Sequence, residues 1–110
     1  FICTGNFYRS RYCEAYMDYL GKLLKLPIYT YSKGFEIELA DKVSELYGEV
    51  SPYTLERLKL NSISYDQINK DRERVTQNCI DGADIVVIID KNEHSVYMND
   101  FDSLGSKRYC

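Results

Sequence analysis

The sequence predicts an α/β fold: one domain, residues 1–110, in a three-layer αβα arrangement around a central parallel sheet. Three observations predict it. Two apolar residues, Phe1 and Ile2, run into a short loop containing Gly5 and Asn6, after which apolar residues recur at helical spacing. A second strand-like stretch at residues 28–32 completes a strand, a helix and a strand, the βαβ unit whose crossover is right-handed and whose strands are parallel. Residues 85–89 are apolar without a break, as a strand buried on both faces of such a sheet must be.

The first helix is expected over residues 10–24. Cys13, Met17, Leu20 and Leu24 recur at intervals of four, three and four, and Tyr12, Ala15, Tyr16 and Leu23 widen them into a stripe facing the core. Ser10 is a good N-cap type, Cys13 falls on the stripe as a small core residue, and Gly21 and Pro27 bracket the exit. Residues 28–32 have the β-branched and aromatic content of a strand, closed by Lys33-Gly34. Residues 35–50 are acidic and irregular, with a short helix expected over residues 39–47 that carries Val43, Leu46 and Tyr47 on one side. Phe35 reads as a core aromatic. Ser51-Pro52 starts the next helix, an N-cap followed by Pro in the first turn, with Leu55 and Leu58 facing in and Asn61 as its stop. Residues 63–75 carry Asp66, Lys70, Asp71, Arg72, Glu73 and Arg74 and read as a solvated connection. One or two helical turns are expected at residues 76–82, where Cys79 has no assigned role. After the strand at residues 83–90, a helix opens with Lys91-Asn92-Glu93-His94. His94, one turn into a surface helix with no group to orient it, reads as structural rather than as a general base.

Composition narrows the function. Hydrophobic content of 45% with 28% charged residues is ordinary for a globular chain. A formal charge of −3 offers no basic field for nucleic acid, and no apolar run approaches membrane-spanning length. Four Cys in 110 residues are too sparse for a disulfide scaffold, so reduced thiols and a cytoplasmic location are expected. Eleven Tyr are scattered without period. The chain starts without a Met, almost on the loop, and stops at Tyr109-Cys110, so it is expected to be a domain truncated at both ends.

The first ten residues carry the chemistry. Cys3 and Arg9 bracket Thr4, Gly5, Asn6, Phe7 and Tyr8, with Ser10 next. A loop of this kind between a strand and a helix can turn several backbone N–H groups toward one centre, where the positive end of the helix also lies, and so hold a phosphate-like dianion. Arg9 would close the cradle, because its fork matches two phosphate oxygens at once. Cys3 would sit beneath the phosphorus, in surroundings of amides and a guanidinium that favour a thiolate. Cradle plus thiolate means phosphoryl transfer through a phosphocysteine intermediate, with no metal or cofactor required. In open parallel sheets ligands bind beyond the carboxyl ends of the strands, where both Cys3 and Ser32 fall.

Cys3-Thr4-Gly5-Asn6-Phe7-Tyr8-Arg9-Ser10 resembles the C-x5-R-S signature loop of the low-molecular-weight protein tyrosine phosphatases, whose fold is flavodoxin-like. The resemblance implies a phosphotyrosine protein or a small phosphomonoester as substrate, with inorganic phosphate or a similar oxyanion held in the loop. It implies that the Ser10 hydroxyl supports the Cys3 thiolate, and that Ser32-Lys33-Gly34 matches the Ser-x-Gly that braces the loop Asn. Ala83-Asp84-Ile85-Val86 resembles the family's A-D-x-V strand. The chain also departs from the pattern. The family takes its general acid from an Asp followed by Pro late in the chain; neither Asp100-Phe101 nor Asp102-Ser103 has that Pro, so the acid lies beyond residue 110 or is absent. Tyr8 stands where many relatives have a second Cys. Arg11 stands where they tend to have Pro, and is expected as an extra cation at the rim that favours acidic substrates. Two alternatives remain beside the phosphatase. An arsenate reductase of the same fold would need two further redox Cys where Asp90-Lys91 stands, and a non-catalytic phosphate-binding module is kept open by the missing acid.

Overall fold

The computed structural model describes residues 1–101 and the backbone of Arg108 and Tyr109. Asp102 and Cys110 lie outside the described residues. Strand β1 (Ile2–Cys3) pairs in parallel with β2 (Lys33–Gly34), Ile2 opposite Lys33 and Cys3 opposite Gly34. On its other side Ile2 forms a parallel bridge to Ile88, next to β3 (Val86–Val87), which pairs in parallel with β4 (Arg108–Tyr109). The strand order is therefore β2-β1-β3-β4, with β1 inside, so the loop that leaves β1 emerges between two neighbours at the carboxyl edge of the sheet.

Regular pairing with β1 begins at Lys33, not within residues 28–32. That stretch is joined to the residue before β1 by a hydrogen bond from Phe1 N to Tyr31 O (3.0 Å), while Ile28 and Tyr29 are exposed. Ile28 instead fills the side of the first helix, α1 (Arg9–Leu23): a Cβ on Gly21 would lie 2.6 Å from Ile28 Cγ1. Gly21 thus belongs to the body of α1 rather than to its exit.

α1 is capped two residues earlier than its apolar pattern suggests, by Tyr8 rather than Ser10, and it buries a different face. Ser10, Arg11, Glu14, Ala15 and Gly21 point inward, whereas Met17, Leu23 and Leu24 are exposed. The periodicity misled because Arg11 and Glu14 are buried with hydrogen-bond partners, and a satisfied buried charge leaves no apolar mark in the sequence.

The later helices follow their capping signals. α2 (Asp41–Tyr47) follows a 3-10 turn at Ile37–Ala40; Ala40 of the turn and Ser44 of the helix are buried, and Val43, Leu46 and Tyr47 share an exposed side. α3 (Pro52–Leu60) is capped by Ser51, whose Oγ accepts from Tyr53 N at 3.2 Å, and it buries Thr54 and Leu58. α4 (Gln77–Gly82) is capped by Thr76 and α5 (Lys91–Tyr97) by Asp90, which accepts from Asn92 N at 2.6 Å.

The main core joins Ile2, Phe35, Val75, Ile80, Val86 and Ile88, with Phe35 stacked on Tyr97 at 4.9 Å between ring centroids. Ala15, Leu58 and Ile63 form a second cluster between α1 and α3. In the segment around β3, Val86 and Ile88 are buried, Val87 and Ile89 are half-buried and Ile85 is 62% exposed, so the apolar run is fully covered on one face and only partly on the other among the described residues.

Residues 63–75 are not a solvated connection. Ile63 and Val75 are core residues, Gly34 N donates to Glu73 O and Val75 N to Gly34 O, both at 2.8 Å, and a parallel bridge links Gly34 to Arg74. The charged side chains conceal this because the pairing is made by main-chain groups that every residue type carries.

Candidate active site

The loop of residues 3–10 is polarised. Each of its first six carbonyls is bound by the surrounding scaffold. Cys3 O accepts from Phe35 N (2.9 Å), Thr4 O from Glu36 N (2.9 Å), Phe7 O from Ser51 N (2.9 Å), and Tyr8 O from Tyr12 N (3.0 Å). Gly5 O accepts from Arg72 Nη1 (3.2 Å), Asn6 O from Arg11 Nε (3.2 Å), and Tyr8 O again from Thr54 Oγ1 (3.0 Å). By contrast, the backbone amides of residues 4–10 donate to none of the described residues. A chain with its acceptors occupied and successive donors left over is what an anion nest requires.

Two features let the loop take this shape. Asn6 has φ of 50°, in the left-handed region that Asn tolerates better than most residues. Gly5 and Gly34 leave room where other chain segments press close: a Cβ on Gly5 would stand 2.8 Å from Ala40 Cβ, and one on Gly34 would stand 2.8 Å from Thr4 O.

Cys3 is buried at the start of this loop, its Sγ 3.1 Å from Ser10 Oγ. Ser10 Oγ accepts from Asn6 Nδ2 at 3.0 Å, which leaves the serine proton free to point at the sulfur. Asn6 Nδ2 also donates to Ser32 Oγ (2.9 Å), and Asn6 Oδ1 accepts from Glu73 N (3.0 Å). Ser32 Oγ in turn donates to Glu14 Oε1 (2.8 Å), and Tyr65 OH donates to Glu14 Oε2 (2.8 Å). Burial, then the adjacent Glu14, push the Tyr65 phenol well above its ordinary range, so it remains a donor. Burial likewise raises the thiol of the half-buried Cys13.

Arg11 is not a rim cation. It is fully buried, with Nε on Asn6 O, Nη1 on Tyr65 OH (3.3 Å) and Nη2 on Lys70 O (2.5 Å). It is a strut beneath the loop, drawn inward because the loop carbonyl, the 63–75 segment and the Tyr65–Glu14 pair together satisfy its guanidinium.

Arg9, at the far end of the loop, is partly exposed and makes a two-pronged contact with Glu93: Nη1 to Oε1 at 3.1 Å and Nη2 to Oε2 at 2.8 Å. Thr4 Oγ1 also donates to Glu93 Oε2, and Asp90 Oδ2 lies 4.0 Å from Arg9 Nη1. On the outer rim the exposed rings of Tyr8 and Tyr53 stack, 6.0 Å between centroids. His94 Nε2 is buried without a hydrogen-bond partner among the described residues and takes no part in these contacts.

The residues singled out in sequence, Cys3 to Ser10 and Ser32, therefore come together. Sequence reasoning missed Glu93, Arg72, Glu14, Tyr65 and Thr54, which reach the site from 46 to 89 positions away or through Ser32. Only Glu93 had a local mark, an acidic residue in the first turn of a helix, and that pattern is too common to single it out.

A scan of protein-family models finds none that matches the chain, and a search of curated proteins finds no match either. Solved structures do match. A YwlE mutant from Bacillus subtilis superposes with a TM-score of 0.74 at 20% identity, over 98% of this chain and 66% of that one. Vibrio vulnificus Wzb in complex with benzylphosphonate superposes with a TM-score of 0.73 at 23% identity, over 98% and 68%. A second YwlE structure, an arginine phosphatase with a phosphorylated active-site serine, gives 0.74 at 19% over 98% and 64%. The fold is that of the low-molecular-weight protein phosphatases. The chain thus spans about two thirds of the length of the low-molecular-weight phosphatase structures it matches.

Proposed function

We propose that the chain is a cysteine-dependent phosphatase acting on phosphotyrosine or a similar phosphomonoester. The observation that carries this reading is the one-sided polarity of the loop, with carbonyls bound outward and the amides of residues 4–10 left over, beside a cysteine already in contact with a serine hydroxyl. In this reading the phosphoryl oxygens take those amides and the Arg9 fork. Cys3 Sγ attacks phosphorus, the S–P bond forms, and the P–O bond breaks with its electron pair leaving on the aryl oxide. Water then attacks the phosphocysteine, releasing inorganic phosphate and returning the thiolate, which Ser10 stabilises. Asn6 and Ser32 hold the loop in the productive shape. The same reading takes the architecture as the three-layer αβα sandwich and places the protein in the cytoplasm, where the described cysteines, all free, stay reduced.

p-Nitrophenyl phosphate tests this directly, because its leaving group departs without a general acid. Wild type should hydrolyse it, and Cys3→Ser should lower kcat by about 10³-fold or more. Phosphate binding without any turnover would make the chain a binding module instead, and thioredoxin-dependent turnover of arsenate would make it a reductase. Since one structural neighbour is an arginine phosphatase, a phosphoarginine peptide belongs in the same assay; faster release from it than from a phosphotyrosine peptide would move the substrate class from P–O to P–N bonds.

A further inference from the structure

We propose that Glu93 is a positioning residue that presents Arg9 to the phosphoryl group, an inference that rests on the functional reading above. The guanidinium has two edges able to grip an anion, the Nη1/Nη2 end and the Nε/Nη2 side. Glu93 takes the first, through both of its oxygens. Among the described residues Arg9 Nε has no partner, so the second edge is left for a ligand. Glu93 is itself held fast. It is 7% exposed, sits in the first turn of α5, and receives a further hydrogen bond from Thr4 Oγ1. The two ends of the loop, Thr4 and Arg9, are in this way tied to one carboxylate on a separate helix.

The physical gain is preorganisation. Arg9 is 43% exposed, and an arginine at a rim would otherwise sample many rotamers and lose that freedom on gripping a phosphate. With its distal edge fixed, the freedom is already lost in the unliganded protein, and the fork is fixed in one orientation. The opposing effect is electrostatic, since a carboxylate beside the site repels a dianion. The geometry favours positioning because Glu93 uses only one edge of the fork and is anchored from behind by Thr4, so a phosphate need not displace it.

Binding of inorganic phosphate, followed by calorimetric titration, reads this out independently of turnover. Glu93→Gln, which keeps the shape but removes the charge, should weaken phosphate binding by about 10-fold, and Glu93→Ala by more, up to about 100-fold. In an Arg9→Ala background the same Glu93→Gln change should weaken binding far less, because the Arg9 contact is already gone and a Gln carbonyl can still accept from Thr4 Oγ1. Tighter or unchanged binding in Glu93→Gln would overturn the proposal by showing that the carboxylate competes for the fork or does nothing. A loss that persists undiminished without Arg9 would also overturn it, by assigning Glu93 a general structural role. Wild type that takes no phosphate at all would instead bring down the functional reading itself, and this inference with it.

Discussion

Residues 3–10 and residues 70–75 are both irregular, both rich in groups that hydrogen-bond, and they are bound to each other: Arg72 Nη1 reaches Gly5 O, Glu73 N reaches Asn6 Oδ1, and Lys70 O accepts from Arg11. Only the first looks like a site in the sequence. Its residue types are constrained one by one, a nucleophile, a residue that tolerates positive φ, a glycine where Ala40 presses close, and a guanidinium, so their order is informative. The second acts through main-chain amides and carbonyls and through one arginine, and in sequence it is indistinguishable from a charged surface loop. The comparison teaches that an anion loop is half of a structure. The other half is whatever holds its carbonyls, and that half can be written in almost any residues.

The sharpest way to break the comparison is Arg11→Ala. This change leaves Asn6 O and Lys70 O without a donor and removes the cation that faces the buried Tyr65–Glu14 pair. We expect a loss of about 3–5 kcal/mol in urea unfolding, or no folded protein. A loss below about 1 kcal/mol together with a raised KM for acidic phosphopeptides would return Arg11 to the rim.

Arg72→Ala comes next. It strips donors from Gly5 O and Ile37 O and the counterion from Asp41. The expected cost is about 2–3 kcal/mol, accompanied by weaker phosphate binding as the loop loses one of its outward anchors. If residues 70–75 were only a connection, the cost would stay within about 0.5 kcal/mol.

Ser32→Ala sharpens the first region from within. Asn6 Nδ2 loses an acceptor and Glu14 Oε1 a donor, both buried, and the expected loss is about 1–3 kcal/mol. Ser32→Thr should recover most of it if the hydroxyl is what matters, and a Thr variant as poor as Ala would point to volume instead.

The smallest effect belongs to Glu73, whose backbone braces Asn6 while its side chain lies largely in solvent. The hydrogen bond from Lys33 lowers its carboxyl below the ordinary range. A depressed folded-state value means the contribution is present above the unfolded-state range and lost as pH falls through the folded value. With that exposure it amounts to a few tenths of a kcal/mol. The difference in Tm between wild type and Glu73→Gln should therefore be small at neutral pH and close on acidification; a gap that widened toward low pH would contradict the ion pair.

By itself the sequence determined what is local. The loop from Cys3 to Ser10 has the residue types its backbone needs, and Ser51-Pro52 and Thr76 cap helices within a turn of where they stand, because caps, positive φ and glycine contacts are decided by a few neighbouring residues. The tertiary structure alone decided which face of α1 is buried, that residues 28–32 do not pair as a strand, that Arg11 lies beneath the loop, and that Glu93 grips Arg9. Those choices depend on where distant carbonyls and carboxylates can satisfy a buried charge, and that is set by how the chain packs, not by the spacing of its apolar residues.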